Sequence, residues 1–117
     1  MLRLKEISEK IENRKKKLRK NLDILINQLK SYGAIKIFLF GSFAQEKIDV
    51  NSDLDLFVIM PSNKTGKEWI NFIYNSIERV VSSDIIVFNI DEFNNQLSSN
   101  SFIKNIINSG RLLYEKT

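Results

Sequence analysis

Two aspartates are the residues of this chain most suited to chemistry. Asp53 and Asp55 begin an apolar run that continues from Leu54 to Met60. On a β-strand this i, i+2 spacing points both side chains to one face, roughly 6.5 Å apart along the chain. Carboxylates this close can share one or two hard cations, and Mg²⁺ favours such oxygen ligands together with substrate phosphates. The pair therefore predicts a site for Mg²⁺ and a phosphorylated substrate.

A Gly-Ser pair, Gly41 and Ser42, ends the preceding apolar run, and ten residues separate it from Asp53. Glycine lets the backbone approach a phosphate closely. Backbone N–H groups at a turn or helix start, with the Ser42 hydroxyl beside them, form an anion site. We therefore expect Gly41 and Ser42 to bind phosphate groups, with an ordinary strand-to-helix turn as the alternative. Ser52 is expected to steady the loop before Asp53 through a side-chain-to-backbone bond.

Asp84 is the predicted third carboxylate. It precedes another apolar run, which begins at Ile85. If this strand pairs beside the strand of Asp53 and Asp55, the three carboxylates meet at one end of the sheet. The alternative is that Asp84 only terminates the preceding helical region. Asp91 lies at the far end of the same strand and is better explained as the N-cap of a short helix.

Composition narrows the class of protein. The chain has 117 residues, of which 43% are hydrophobic, and this predicts a single domain over residues 1–117 with one core. It contains neither cysteine nor histidine, which excludes disulfides, zinc sites of the usual kind and histidine-based acid–base catalysis. No apolar stretch approaches the roughly 20 residues that span a bilayer, and the charged N-terminus does not resemble a signal peptide. We expect a cytoplasmic protein without a membrane partner.

The hydrophobic periodicity predicts the elements that must position these residues. We expect a long helix over about 3–31, strands over 34–40, 53–60, 84–90 and 111–114, a helix over 67–81, and short helices after positions 91 and 101. This order predicts an α/β (α+β) domain. Its core is a small mixed β-sheet of about four strands with helices covering one face.

The N-terminal helix is longer and more basic than such a domain needs. Net charge is +4, and Arg14, Lys15, Lys16, Lys17, Arg19 and Lys20 supply much of the excess. This run predicts contact with RNA, nucleotide phosphates or an acidic partner, or else a solvated helix face. No aromatic residues interleave with it, so nucleic acid is not an expected partner. The apolar positions Leu4, Ile7, Ile11 and Leu18 are expected to contact another chain, either a second copy or a partner.

The spaced motif, Gly41-Ser42, ten residues and then Asp53-x-Asp55, resembles the DNA polymerase β-like nucleotidyltransferase superfamily. It is most similar to the minimal nucleotidyltransferases (MNT domains), many of which are encoded beside a HEPN-type toxin. The resemblance extends from about Tyr32 to Tyr114 and implies the polymerase β-like fold. It implies that Asp53, Asp55 and Asp84 are catalytic and hold one or two Mg²⁺ ions, and that Gly41, Ser42 and Ser52 bind the nucleotide, ATP.

By this resemblance, the chain transfers AMP from ATP to a hydroxyl acceptor on a protein, a HEPN-type toxin, and acts as its antitoxin. The chemistry requires convergent carboxylates, because metals must stabilise both the attacking and the leaving oxygen. The chain departs from its relatives at Gln45-Glu46, where Arg-Gly is common. This departure favours an alternative, a catalytically weak or inactive nucleotide-binding antitoxin that neutralises its partner by contact. A third reading, a subunit that modifies a small molecule, needs a substrate domain from elsewhere.

Overall fold

The computed structural model describes residues 3–44, 54–77 and 83–117. Five helices and four strands lie in these ranges. In chain order they are α1 Leu4–Ser31, β1 Lys36–Phe40, α2 Gly41–Ala44, β2 Leu54–Met60, α3 Gly66–Ser76, β3 Ser83–Asn89, α4 Ile90–Gln96, α5 Ser101–Ser109 and β4 Arg111–Glu115. No helix in the described ranges is both long enough and apolar enough to cross a membrane.

The four strands form one mixed sheet in the order β3-β2-β1-β4. Strand β1 pairs antiparallel with both β2 and β4, whereas β2 and β3 are parallel. A parallel pair needs a crossover connection, and α3 lies in this one. The predicted fold class, a small mixed sheet of about four strands with helices, is confirmed.

Helices lie over both faces of the sheet, so the prediction that they cover one face is wrong. Along β2, alternate residues from Leu54 to Met60 join a cluster with α1 and α3. The residues between them, Phe57 and Ile59, join a second cluster with Phe93 of α4 and with α5. Because β2 is apolar on both faces, each face requires its own cover. The second face is the one that carries the candidate site.

Only the C-terminal half of α1 packs on the sheet. Its buried residues begin at Leu18, which lies in the core of this chain, so the prediction that Leu18 contacts another chain is wrong. By contrast, 84% of the surface of Leu4 and 38% of that of Ile7 remain exposed. The molecule measures 51 × 30 × 24 Å, and a helix of 28 residues at about 1.5 Å each accounts for much of the long axis. Gly33, with φ +99°, adopts the left-handed conformation that commonly ends a helix.

Two local predictions are corrected. Helix α3 ends at Ser76, not at position 81, because the backbone of Ile77 is extended (φ −102°, ψ 126°). The N-cap of α4 is Asn89 rather than Asp91: its side-chain oxygen accepts a hydrogen bond from the Glu92 N–H at 2.7 Å. Asp91 lies in the first turn, where its negative charge interacts favourably with the positive end of the helix dipole.

Candidate active site

The parallel register of β2 and β3 brings two of the predicted carboxylates together. Asp55 pairs directly with Asp84 across the ladder. Neighbouring strands lie about 4.8 Å apart, and residues in register point to the same face. Asp55 is half-buried and Asp84 is exposed to solvent. Both stand where their strands begin, on the face shared with Phe57 and beyond the buried part of the core.

Gly41 lies beside Asp55 on the β1 side of β2, opposite to Asp84. Phe40, the last residue of β1, pairs with Asp55, and Gly41 follows it with φ +77°. A Cβ built on Gly41 would overlap Oδ2 of Asp55 and would lie only 3.0 Å from Cγ. The carboxylate therefore lies directly over the glycine backbone. Glycine is required here both by the left-handed conformation and by the space that Asp55 occupies.

The predicted site residues differ in how far the structure describes them. Gly41, Asp55 and Asp84 lie together at one end of the sheet. For Ser42 the backbone is described, in the four-residue helix α2 that begins at Gly41. Asp53 and Ser52 lie outside the described residues, as do Gln45 and Glu46. Their assigned roles stay predictions, and so does the carboxylate triad as a whole.

A basic side chain that was not predicted to contact α2 reaches it from β4. Arg111 pairs with Leu39 of β1, and its Nη2 donates to the carbonyl oxygen of Ala44 at 3.5 Å. It thus brings positive charge to the last residue of α2. The two residues are 67 positions apart, so no local sequence pattern indicates the contact. Only the pairing of β4 beside β1 creates it.

The comparison with protein families decides what this arrangement belongs to. The model of a family described as "Polymerase beta, Nucleotidyltransferase" matches residues 9–117. The chain belongs to this nucleotidyltransferase family. Comparisons with curated proteins and with solved structures give no significant match. The resemblance inferred from the spaced motif is therefore confirmed at the level of the polymerase β-like superfamily. The reaction class of this family is nucleotidyl transfer.

The donor set of the nucleotidyltransferase domain fits a divalent cation in part. Within the described ranges no group of three or more acidic, histidine or cysteine side chains is placed to hold a metal ion. Asp55 and Asp84 nevertheless stand side by side, and paired carboxylate oxygens suit Mg²⁺. Because Asp53 precedes Leu54 by one residue, its i, i+2 relation to Asp55 predicts the third ligand.

Proposed function

We propose that this nucleotidyltransferase domain transfers AMP from ATP to a hydroxyl group of a partner protein in the cytoplasm, with Mg²⁺ as cofactor. The observation that carries the proposal is the side-by-side placement of Asp55 and Asp84 at the starts of β2 and β3 in a chain of this family. Two adjacent carboxylates with Gly41 against one of them suit a site for a metal-bound polyphosphate.

Asp55 and Asp84, with Asp53, would hold one or two Mg²⁺ ions, which neutralise charge on the phosphate oxygens when bound. The chain's own groups then orient the nucleotide. Gly41 lets the Asp55 carboxylate lie against the backbone at the end of β1, because a Cβ there would overlap Oδ2. With Ser42, it would direct N–H groups toward the β- and γ-phosphates.

The identity of the acceptor rests on the resemblance to MNT domains. In that reading, the acceptor is a hydroxyl of a HEPN-type toxin, and its modification makes this chain the antitoxin. The alternative is neutralisation by contact without transfer. The observation that favours it is Gln45-Glu46, which places a carboxylate where relatives commonly carry Arg-Gly. Added negative charge near a bound polyphosphate weakens its binding.

The experiment is to incubate the protein with ATP, Mg²⁺ and the co-expressed HEPN-type protein and to measure intact mass and pyrophosphate release. We expect the wild type to add AMP to the partner. Asp55→Asn and Asp84→Asn should abolish transfer while remaining folded, because relief of repulsion between adjacent carboxylates leaves stability unchanged or higher. Asp91→Asn, which removes an exposed carboxylate at the opposite end of β3, is the matched control and should stay active.

Two results would overturn the proposal. If Asp55→Asn and Asp84→Asn retain transfer in proportion to the folded protein, these carboxylates are not catalytic. If the wild type adds no AMP but still suppresses the toxin, and Asp55→Asn suppresses it equally, the contact-only alternative holds instead.

A further inference from the structure

The first fourteen residues of α1 carry an apolar stripe that the described part of the chain does not cover. Leu4, Ile7 and Ile11 continue the same helix face that is buried from Leu18 onward. Leu4 and Ile7 are exposed, and Ile11 is half-buried. The projecting segment, residues 4–17, thus presents to solvent the face that packs on the sheet further along the helix. An apolar stripe at helical spacing is the feature by which helices bind one another.

The projecting segment extends from the end of the sheet that carries the candidate site. At the C-terminal end of α1, Gly33 lies near Pro61, and the Tyr32 ring is 4.9 Å from that of Phe72. Pro61 directly follows β2, whereas Asp55 stands where β2 begins. The helix therefore runs back along the sheet toward the Asp55 end.

The level of Asp55 along α1 follows from the rise per residue. Asp55 and Pro61 are six residues apart, which is about 20 Å along a strand. The same length takes about 13 residues of helix, which leads from Tyr32 back to about Arg19. The basic run, residues 14–20, is thus level with the site along the strands, with α1 on the opposite face of the sheet. The projecting segment extends beyond this end of the sheet.

The charge of the basic run indicates what kind of surface it meets. Six of its seven residues are Arg or Lys, and no acidic residue occurs between positions 13 and 22. The ion pair between Lys15 and Glu12, at 3.5 Å, is one link to the preceding turn. Lys16, Lys17, Arg19 and Lys20 are all exposed. Such a concentration of positive charge attracts an acidic surface.

A protein fits this surface better than a nucleic acid or a second copy does. A phosphate backbone would leave Leu4, Ile7 and Ile11 in water, and α1 has no aromatic residue on which a base could stack. A second copy of α1 packed in parallel register would set two like-charged basic runs against each other. An amphipathic helix with acidic flanks covers the stripe and neutralises the charge together.

We propose that residues 4–20 of α1 form the docking site for the acceptor protein, which binds through an acidic amphipathic helix and so presents its hydroxyl at the Asp55 end of the sheet. The role of acceptor rests on the proposed function. The docking itself does not require transfer, and its test uses no nucleotide.

The probe is a fluorescent three-heptad peptide with leucine at a and d and glutamate at e and g, titrated with the full chain and followed by anisotropy. Ile7→Asn should weaken binding about tenfold or more, as expected when a contact of a buried aliphatic side chain is lost. Ile24→Asn is the matched control, because Ile24 is 39% exposed on the same helix against 38% for Ile7. Lys16→Glu with Lys20→Glu should also weaken binding, and Lys104→Glu on α5 should not.

Hydrogen exchange with the bound peptide should slow in residues 4–20. Asp55→Asn should bind the peptide like the wild type, so a failure of docking and a failure of catalysis are distinguishable. Three results would overturn the proposal: equal binding by Ile7→Asn and wild type, tighter binding of a uridine oligonucleotide that ignores Ile7→Asn, or sedimentation of the protein alone as a dimer that Ile7→Asn dissociates.

Discussion

Replacement of Gly41 by alanine tests whether the glycine holds the Asp55 carboxylate in place. The new Cβ would overlap Oδ2, and it would lie 3.0 Å from Cγ and 3.3 Å from Cβ of Asp55. The side chain of Asp55 must therefore turn away from its present position. Because this carboxylate is a predicted metal ligand, the substitution should impair the site as well as the fold.

Gly33 provides the matched control for backbone strain. It also has positive φ, +99° against +77° for Gly41, but a Cβ there would meet only Pro61, at an ordinary 3.4 Å. Gly33→Ala should therefore cost about 1–2 kcal/mol of unfolding free energy, the penalty of a left-handed conformation. Gly41→Ala adds the displacement of Asp55, about 1–3 kcal/mol more as for an overpacked site, which totals about 2–5 kcal/mol.

Urea unfolding of a double-mutant cycle isolates the contact with the carboxylate. In an Asp55→Ala background the oxygen and Cγ that the new Cβ overlaps are absent. The whole cost of Gly41→Ala should then fall to about that of Gly33→Ala, a coupling of about 1–3 kcal/mol. Calorimetric titration with Mn²⁺, without nucleotide, supplies a second readout: Gly41→Ala should weaken binding and Gly33→Ala should not.

Equal destabilisation by Gly41→Ala and Gly33→Ala, with no coupling in the cycle, would contradict this prediction. The Asp55 carboxylate would then not rest on Gly41 in solution. If Gly41→Ala lowers stability but leaves Mn²⁺ affinity unchanged, the contact between Gly41 and Asp55 exists but does not affect metal binding.

Two further predictions concern stability. Hydrogen bonds from the Thr65 backbone and side chain hold the pKa of Glu68 below its ordinary value. Ionised Glu68 therefore stabilises the fold above about pH 4.3, and this contribution is lost as pH falls through its lower pKa in the folded state. Glu68→Gln should make the melting temperature fall less steeply in acid, and an unchanged fall would contradict this. Phe57, which is fully buried among aromatic rings, should cost about 3–5 kcal/mol in urea unfolding as Phe57→Ala. Phe72→Ala, at a site 36% exposed, should cost clearly less, and equal losses would show that the second core cluster is not tightly packed.

Features set by neighbouring residues could be read from the sequence. The spacing of Asp53 and Asp55 follows from the two-residue period of a strand, and the apolar runs mark β1, β2 and β3 within a few residues. The length of α1 and its end near Gly33 follow from helical periodicity and a glycine stop. The spaced Gly-Ser and Asp-x-Asp motif indicated the superfamily that the family comparison then confirmed.

Tertiary structure decided what lies across the sheet. The sequence suggested that Asp84 stands near Asp55, but their direct pairing depends on the register of β3 against β2. The Glu92 carboxylate helps to hold the end of β3 in place, because it accepts hydrogen bonds from the N–H of Gly66 at 2.9 Å and from that of Asn89 at 2.8 Å. A residue's spacing along one strand is set by covalent geometry, whereas register between distant strands is set by such contacts and by packing.

Packing between distant parts of the chain also decides which helices cover each face of the sheet, the contact between Gly41 and Asp55, and the position of Arg111. An apolar run such as β2 does not itself state which helix covers which face, and here α4 and α5 take the second face. The antiparallel pairing of Phe40 with Asp55 brings Gly41 and Asp55 together. The sequence shows how many residues separate them but not that they meet. The sequence alone determined which residues have the chemistry of the site, and the packing of the strands determined which of them meet.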